Sequence, residues 1–204
     1  TDFNNMFTRA AAFNQDISSW DVSNATDFSY MFRSASSFNQ DIGSWVVSSS
    51  SDFSYMFYAA YEFNQNIGSW DISSGTDFGY MFSDADAFNQ DIGSWDVSSS
   101  TDFGAMFAYA NAFNQNISNW DVSDTARLND MFTDAELMQS NLGFSATPTS
   151  ADFNRTIFTE RTALDTAVAE WIANETAATE TYGDINTWDV RAITDFSALQ
   201  GCCQ

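Results

Sequence analysis

The chain has 204 residues and carries 6 basic residues against 28 acidic ones, a net charge of -22. Nucleic acid and anionic membranes are bound through Lys and Arg, so this charge excludes both as partners and favours divalent cations or basic proteins. Aromatic residues make up 17% of the chain, which indicates a packed core rather than disorder. No apolar run reaches the roughly 20 residues of a membrane span, so we expect no direct membrane insertion in this segment.

The first 125 residues repeat with a period of 25. One unit begins at Thr76–Phe78, continues through Phe88–Gln90 and ends at Trp95–Val97. A single unit of this size cannot bury its apolar residues, so repeats of this kind stack on one another. We predict that the core consists of three columns: Met6, Met31, Met56, Met81 and Met106; Phe13, Phe38, Phe63, Phe88 and Phe113; and Trp20, Trp45, Trp70, Trp95 and Trp120.

Within a unit the apolar period changes. Trp95 and Val97 alternate with a polar residue, which is typical of a short strand. A helix is predicted to start at Thr101-Asp102, whose oxygens suit a helix N-terminus, and Phe103, Met106, Phe107 and Ala110 then follow at helical spacing. The predicted fold is an α/β solenoid: a leucine-rich-repeat-like stack of short parallel strands and short helices.

The unit at residues 13–32 resembles the repeat of BspA-like bacterial and protist surface proteins; it reads Phe-Asn-Gln-Asp-Ile-Ser-Ser-Trp-Asp-Val-Ser-Asn and then Thr-Asp-Phe-Ser-Tyr-Met-Phe. That family is related to the leucine-rich repeats, and the resemblance covers residues 1–125. It implies a cell-surface or secreted protein and brings no catalytic residues with it.

The repeat weakens after residue 125. Residues 126–143 keep part of the pattern, with Phe144 expected in the place of the strand Trp. A helix carrying Leu164, Val168, Trp171 and Ile172 comes next, and the repeat returns at Trp188-Asp189-Val190. We therefore predict a repeat solenoid over 1–144 (five clear repeats and a degenerate sixth), a helical insertion or cap over 145–182, and a final partial repeat with a Cys pair over 183–204.

Two polar columns are predicted to support the stack. Asn14, Asn39, Asn64, Asn89 and Asn114 are expected to form a hydrogen-bonded ladder that satisfies backbone groups in the turns. Asp2, Asp27, Asp52, Asp77 and Asp102 are expected at helix starts, where the helix dipole stabilises a negative charge.

A further acidic column comes directly after the Trp residues. Asp21, Asp71, Asp96 and Asp121 are predicted to point outward from the sheet, with Val46 interrupting the column. A solvated acidic surface is one interpretation, and a face for a ligand or for Ca²⁺ is the other, since oxygen ligands suit calcium. The calcium hypothesis depends on charge alone, and no other cofactor or metal is predicted.

Covalent modification is predicted at two kinds of residue. Asn-Xaa-Ser/Thr acceptor motifs for glycosylation occur at Asn24, Asn116, Asn154 and Asn174. Cys202 and Cys203 are adjacent, and usual disulfide geometry disfavours a bond between neighbours. Bridges to another chain, bridges to a segment outside this sequence, and free thiols all remain open.

Catalysis is not expected. The chain has no His and no Lys, the commonest general base and the Schiff-base amine. Its repeated acids also share one environment, whereas an acid–base pair needs two different ones. The leading hypothesis is a structural segment of an extracellular fibre or coat that assembles head to tail through its ends. The alternative is an adhesin that binds a protein or glycan on its acidic face, and ice or mineral binding ranks last.

Overall fold

The computed structural model describes residues 2–153, 161–183, 185–188 and 190. The chain forms two compact units, Thr1–Phe153 and Asn154–Gln204. The first contains the helix α1 (Glu136–Leu142) and a 3₁₀ turn, Ser150–Asp152; the second contains α2 (Arg161–Ala173), α3 (Glu175–Tyr182) and a 3₁₀ turn, Ile185–Thr187.

The predicted α/β solenoid of strands and helices is wrong. Over the residues that the structure describes there is no strand, and residues 2–134 contain no helix. Parallel pairing is limited to isolated bridges, such as Asp52 with Asp77. The segment expected to be a helix from Thr101 to Ala110 is a run of turns, in which Met106 donates its backbone N–H to the carbonyl of Phe103.

Backbone hydrogen bonds between repeats explain this difference. The N–H groups of Phe53, Tyr55, Phe57 and Ala59 donate to the carbonyls of Asp77, Gly79, Met81 and Ser83, each at 2.9 Å. Every second residue of this segment is thus bonded to the residue 24 positions later. An α-helix would need the same N–H groups for its own i−4 carbonyls, so stacking replaces the helix.

A left-handed backbone at two places in each repeat also prevents a helix. Tyr55 has φ 56° and Ala59 has φ 52°, and their equivalents in the other repeats share this conformation. For residues other than glycine it costs roughly 1–2 kcal/mol, so it persists only where neighbouring structure enforces it. The residues concerned are Asn5, Arg9, Tyr30, Ser34, Tyr55, Ala59, Tyr80, Asp84, Ala105, Tyr109, Asp130 and Asp134.

The predicted core columns are confirmed from the second repeat onward, whereas in the first repeat Met6 is 52% exposed and Phe13 and Trp20 are only partly buried. Met31, Met56, Met81 and Met106 are fully buried, as are Phe38, Phe63, Phe88 and Phe113. Rings stack from repeat to repeat, with the centroids of Phe57 and Phe82 5.6 Å apart, and within a repeat, where Phe57 and Phe63 are 3.9 Å apart. Burial of a large side chain of this kind stabilises a protein by about 1.5–3 kcal/mol.

The predicted Asn ladder is also confirmed. The side-chain oxygen of Asn39 accepts from the backbone N–H of Asn64 at 3.0 Å and from the amide of Gln65 at 2.8 Å. The Trp column crosses the layers in the same way, because the indole N–H of Trp70 donates to the carbonyl of Ile42 at 3.1 Å. Both columns satisfy polar groups that burial would otherwise leave unpaired.

Residues 136–153 close the stack after the sixth repeat. The carbonyl of Ala146 accepts from the N–H of Phe132 at 2.9 Å, and the hydroxyl of Thr147 accepts from the N–H of Asp130 at 3.0 Å. Phe153 rather than Phe144 continues the Trp column, since its ring stacks on Trp120 at 6.4 Å. The prediction for Phe144 is wrong: its ring lies against Phe132, at 5.0 Å.

The second unit is a small helical core. Leu164 and Ala167 are buried, with Val168, Tyr182, Trp188 and Val190 packed against them. The indole N–H of Trp188 donates to the carbonyl of Tyr182 at 3.0 Å. Ile172, expected on the buried face of the helix, is 54% exposed. Within the described ranges, no helix has both the length and the apolar character to cross a membrane.

Candidate functional site

The outer acidic column comprises Asp21, Asp71, Asp96 and Asp121, and all four side chains are exposed. In Asp96 the oxygen Oδ1 accepts from the backbone N–H of Ser98 at 3.1 Å and from its hydroxyl at 2.6 Å. The Ser98 hydroxyl, then its N–H, lower the pKa of Asp96, and Ser23 and Ser73 do the same for Asp21 and Asp71. Val46 interrupts the column and is 56% exposed. The four carboxylates are exposed, and those of Asp21, Asp71 and Asp96 accept hydrogen bonds from their own turns.

The inner acidic column comprises Asp2, Asp27, Asp52, Asp77 and Asp102. They were expected to cap helices, but each closes a turn: Oδ1 of Asp77 accepts from the N–H of Gly79 at 2.9 Å. Except for Asp2, these side chains are half-buried. Burial raises the pKa of Asp77, the Gly79 hydrogen bond opposes this, and the charges of Asp52 and Asp102 raise it further.

Arg127 ends the inner column. It occupies the place in the sixth repeat where the earlier repeats have Asp, and its guanidinium bonds to Oδ2 of Asp102 at 3.0 Å. The Asp102 hydrogen bond and charge raise the pKa of Arg127, and the phenol of Tyr80 adds a smaller contribution. A guanidinium therefore pairs with a carboxylate at the end of the inner column.

Calcium binding by the outer column stays a prediction. Over residues 2–153, 161–183, 185–188 and 190, no three acidic or Cys side chains come together in a group that could hold a metal ion. The outer column is a single row, so neighbouring repeats offer one carboxylate each, whereas Ca²⁺ takes 6–8 oxygen ligands.

The predicted glycosylation residues lie in different settings. Asn24 is exposed, and exposed Asn116 accepts from the N–H of Ser118 at 3.0 Å. Asn174 caps α3, its oxygen accepting from the N–H of Ala177 at 3.2 Å, so its side chain supports a helix. Asn154, Cys202 and Cys203 lie outside the described residues.

A tyrosine face lies beside the inner column and was missed in the sequence. We define it by Tyr30, Tyr55, Tyr58 and Tyr80, all half-exposed. The ring of Tyr55 stacks between Tyr30, at 4.7 Å, and Tyr80, at 4.5 Å. Burial, then the neighbouring phenols, raise the pKa of Tyr55. The signal was available, because Tyr30, Tyr55 and Tyr80 recur with the period of the repeat.

Positive and negative groups border the tyrosine face. The guanidinium of Arg33 lies 5.8 Å from the ring centre of Tyr30 and 5.6 Å from that of Tyr58. Burial, then the Asp84 carboxylate, raise the pKa of Tyr58, while burial raises the pKa of Asp84. The Arg33 Nε atom is buried and has no hydrogen-bond partner among the described residues.

The chain matches a known protein family. The family described as "Mycoplasma protein of unknown function, DUF285" matches residues 1–91 and again residues 52–144. No curated protein matches the chain, and no solved structure matches it. The two overlapping matches cover the same residues as the repeat stack, and they identify a repeat protein without indicating a ligand.

Proposed function

The chain belongs to this Mycoplasma family of unknown function, and we propose that it is a non-enzymatic recognition module that binds a basic protein partner outside the cell. The observation that carries the proposal is an ordered negative surface on a rigid core. Two acidic columns run along the repeats, and Arg127 forms an ion pair with Asp102 at the end of one of them. We also propose that the repeats are of the BspA-like surface type.

Charge supports a basic partner over other classes. Only 6 basic residues oppose 28 acidic ones, so the surface repels nucleic acid and attracts cationic groups over a distance set by salt. Stacked repeats provide an extended surface without moving parts, which suits binding. The absence of His and Lys from the sequence also favours binding over acid–base catalysis.

Assembly into a fibre is the second candidate, and one observation favours it. Neighbouring repeats are joined by backbone hydrogen bonds, such as that from the N–H of Phe53 to the carbonyl of Asp77 at 2.9 Å, and bonds of the same kind could join one copy to another. The end of the stack at the sixth repeat gives less support for assembly, because residues 136–153 already bond to the N–H groups of Asp130 and Phe132 there. Electron microscopy of the purified chain tests this candidate: filaments would support it, and dispersed particles at all concentrations would reject it.

Binding of short peptides to the whole 204-residue chain tests the recognition proposal. Fluorescein-labelled nona-arginine should bind saturably in fluorescence anisotropy at about 0.15 M salt, and more weakly as salt rises. Labelled nona-glutamate is the matched control and should not bind. The proposal fails if nona-arginine shows no saturable binding or if both peptides bind alike.

Location needs a separate experiment. An antibody raised against residues 1–153 should label intact, unpermeabilised cells of the source organism. Labelling that appears only after the cells are permeabilised would contradict an extracellular location and leave the peptide result standing.

A further inference from the structure

The tyrosine face already binds one guanidinium group of its own chain, and the end of the inner column binds another. Arg33 lies over Tyr30 and Tyr58 within 6 Å of both ring centres, the range in which cation–π attraction acts. Arg127 bonds to Asp102 at 3.0 Å. These two arginines show what the rings and the carboxylates accept: a flat cation.

The middle of the same face has no such cation. Asp52 and Asp77 hold in the third and fourth repeats the place that Asp102 holds in the fifth, and they use Oδ1 in the same turn. Asp102 receives Arg127 on its other oxygen. Over the described residues, no basic side chain forms an ion pair with Asp52 or Asp77.

We infer that the tyrosine face, together with Asp52 and Asp77, binds arginine side chains of a basic protein segment. The inference deepens the proposed function and rests on it. Arginine suits this surface better than lysine, because a planar guanidinium can bond to a carboxylate and a phenol while lying against a ring. Because the inner aspartates are half-buried, an ionic contact with them is stronger than one with the outer column, whose carboxylates are surrounded by water.

A matched pair of double variants locates the binding surface. Asp52→Asn with Asp77→Asn removes two charges from the inner column, and Asp71→Asn with Asp96→Asn removes two from the outer column in the same two repeats. Asparagine keeps the Oδ1 acceptor in both pairs, so the turns are retained. Nona-arginine should bind the inner variant at least about ten-fold more weakly than the unmodified chain, and the outer variant within about two-fold.

A second variant tests the aromatic contribution. The unmodified chain should prefer nona-arginine to nona-lysine by about five- to ten-fold, and Tyr55→Leu with Tyr58→Leu should reduce this preference to less than about two-fold. Circular dichroism melts establish that each variant is folded. The charge variants decide the result if the tyrosine variant does not fold.

The outcomes separate the two levels of the proposal. If nona-arginine does not bind the unmodified chain, the proposed function falls and this inference with it. If it binds but the inner and outer variants lose equal affinity, or if arginine and lysine peptides bind alike, the recognition proposal stands and the assignment to the tyrosine face is wrong.

Discussion

The inner and outer acidic columns contain the same residue at the same period, yet the structure gives them opposite properties. Asp96 in the outer column is exposed, and a serine hydroxyl lowers its pKa. Asp77 in the inner column is half-buried, and burial beside two other carboxylates raises its pKa. The position of an aspartate within the repeat, rather than residue type or spacing, therefore determines how it contributes to stability. An outer aspartate stabilises the stack through its charge, whereas an inner aspartate does so only through the hydrogen bond that closes its turn.

The largest expected effect separates the turn from the charge. Asp77→Ala should be about 1–2 kcal/mol less stable than Asp77→Asn, because both remove the charge and only asparagine still accepts from the Gly79 N–H. The same comparison at Asp71 should give less than about 0.5 kcal/mol, since the Ser73 N–H is nearer to water. Urea unfolding at pH 7 measures both differences. Equal differences at the two positions would show that the columns are equivalent.

Removing the one cation of the inner column should have the next largest effect. Arg127→Gln leaves Asp102 without its ion pair, and we expect a loss of about 0.5–1 kcal/mol at low salt, shrinking as salt screens the pair. Thermal melts at increasing NaCl concentration measure it. Arg9→Gln is the control, because Arg9 has no ion pair over the described residues. A loss that does not change with salt would contradict the electrostatic explanation.

The sign of the pH dependence distinguishes the columns more finely. The raised pKa of Asp77 means that its charge opposes folding above the folded-state pKa, and this penalty disappears below the unfolded value near 3.8. Asp77→Asn should therefore stabilise the chain by about 0.5 kcal/mol at pH 7, after discounting for solvent, and by nothing near pH 3.

The outer column should show the reverse sign. The lowered pKa of Asp71 means that its carboxylate contributes stability above about pH 3.8, which is lost as pH falls through the folded-state pKa. Asp71→Asn should not stabilise the chain at pH 7. Urea unfolding of both variants at the two pH values gives the comparison, and a gain of equal size from Asp71→Asn would overturn it.

The smallest effect concerns a single hydroxyl. Ser98→Ala removes the first of the two groups that lower the pKa of Asp96 and leaves the backbone N–H in place. The pKa of Asp96, measured by carboxyl-carbon NMR, should move up towards 3.8 while that of Asp77 stays unchanged. If the pKa of Asp96 does not change, the backbone N–H of Ser98 alone is responsible for lowering it.

Repetition made the core of this protein predictable from its sequence. Columns of Phe, Met and Trp at one period must face one another when copies stack, so their burial and the Asn ladder were both predicted correctly. The Tyr30–Tyr55–Tyr80 column obeys the same rule but was overlooked, because a half-exposed phenol belongs neither to an apolar core nor to a charged surface.

The local backbone could not be read from the same pattern. Phe103, Met106, Phe107 and Ala110 have helical spacing, but in this protein a run of turns buries residues at the same spacing. The left-handed φ of Tyr55 and Ala59 is invisible in their side chains, because bonds to the next repeat enforce it. The ring of Phe153 on Trp120 depends on a contact between segments with no repeat to align them.

The hydrogen bonds from every second residue of the turn segment to the residue 24 positions later limit how the length of this protein can change. Deleting one residue inside a repeat would place each N–H whose bond spans the deletion opposite the wrong carbonyl and would shift the buried rings of that repeat out of line with their neighbours. Deleting or duplicating a whole unit, such as residues 51–75, keeps each donor opposite an equivalent acceptor and each ring on an equivalent ring. Variation between relatives should therefore occur in whole units, so the stack can lengthen or shorten without changing the surface that each unit displays.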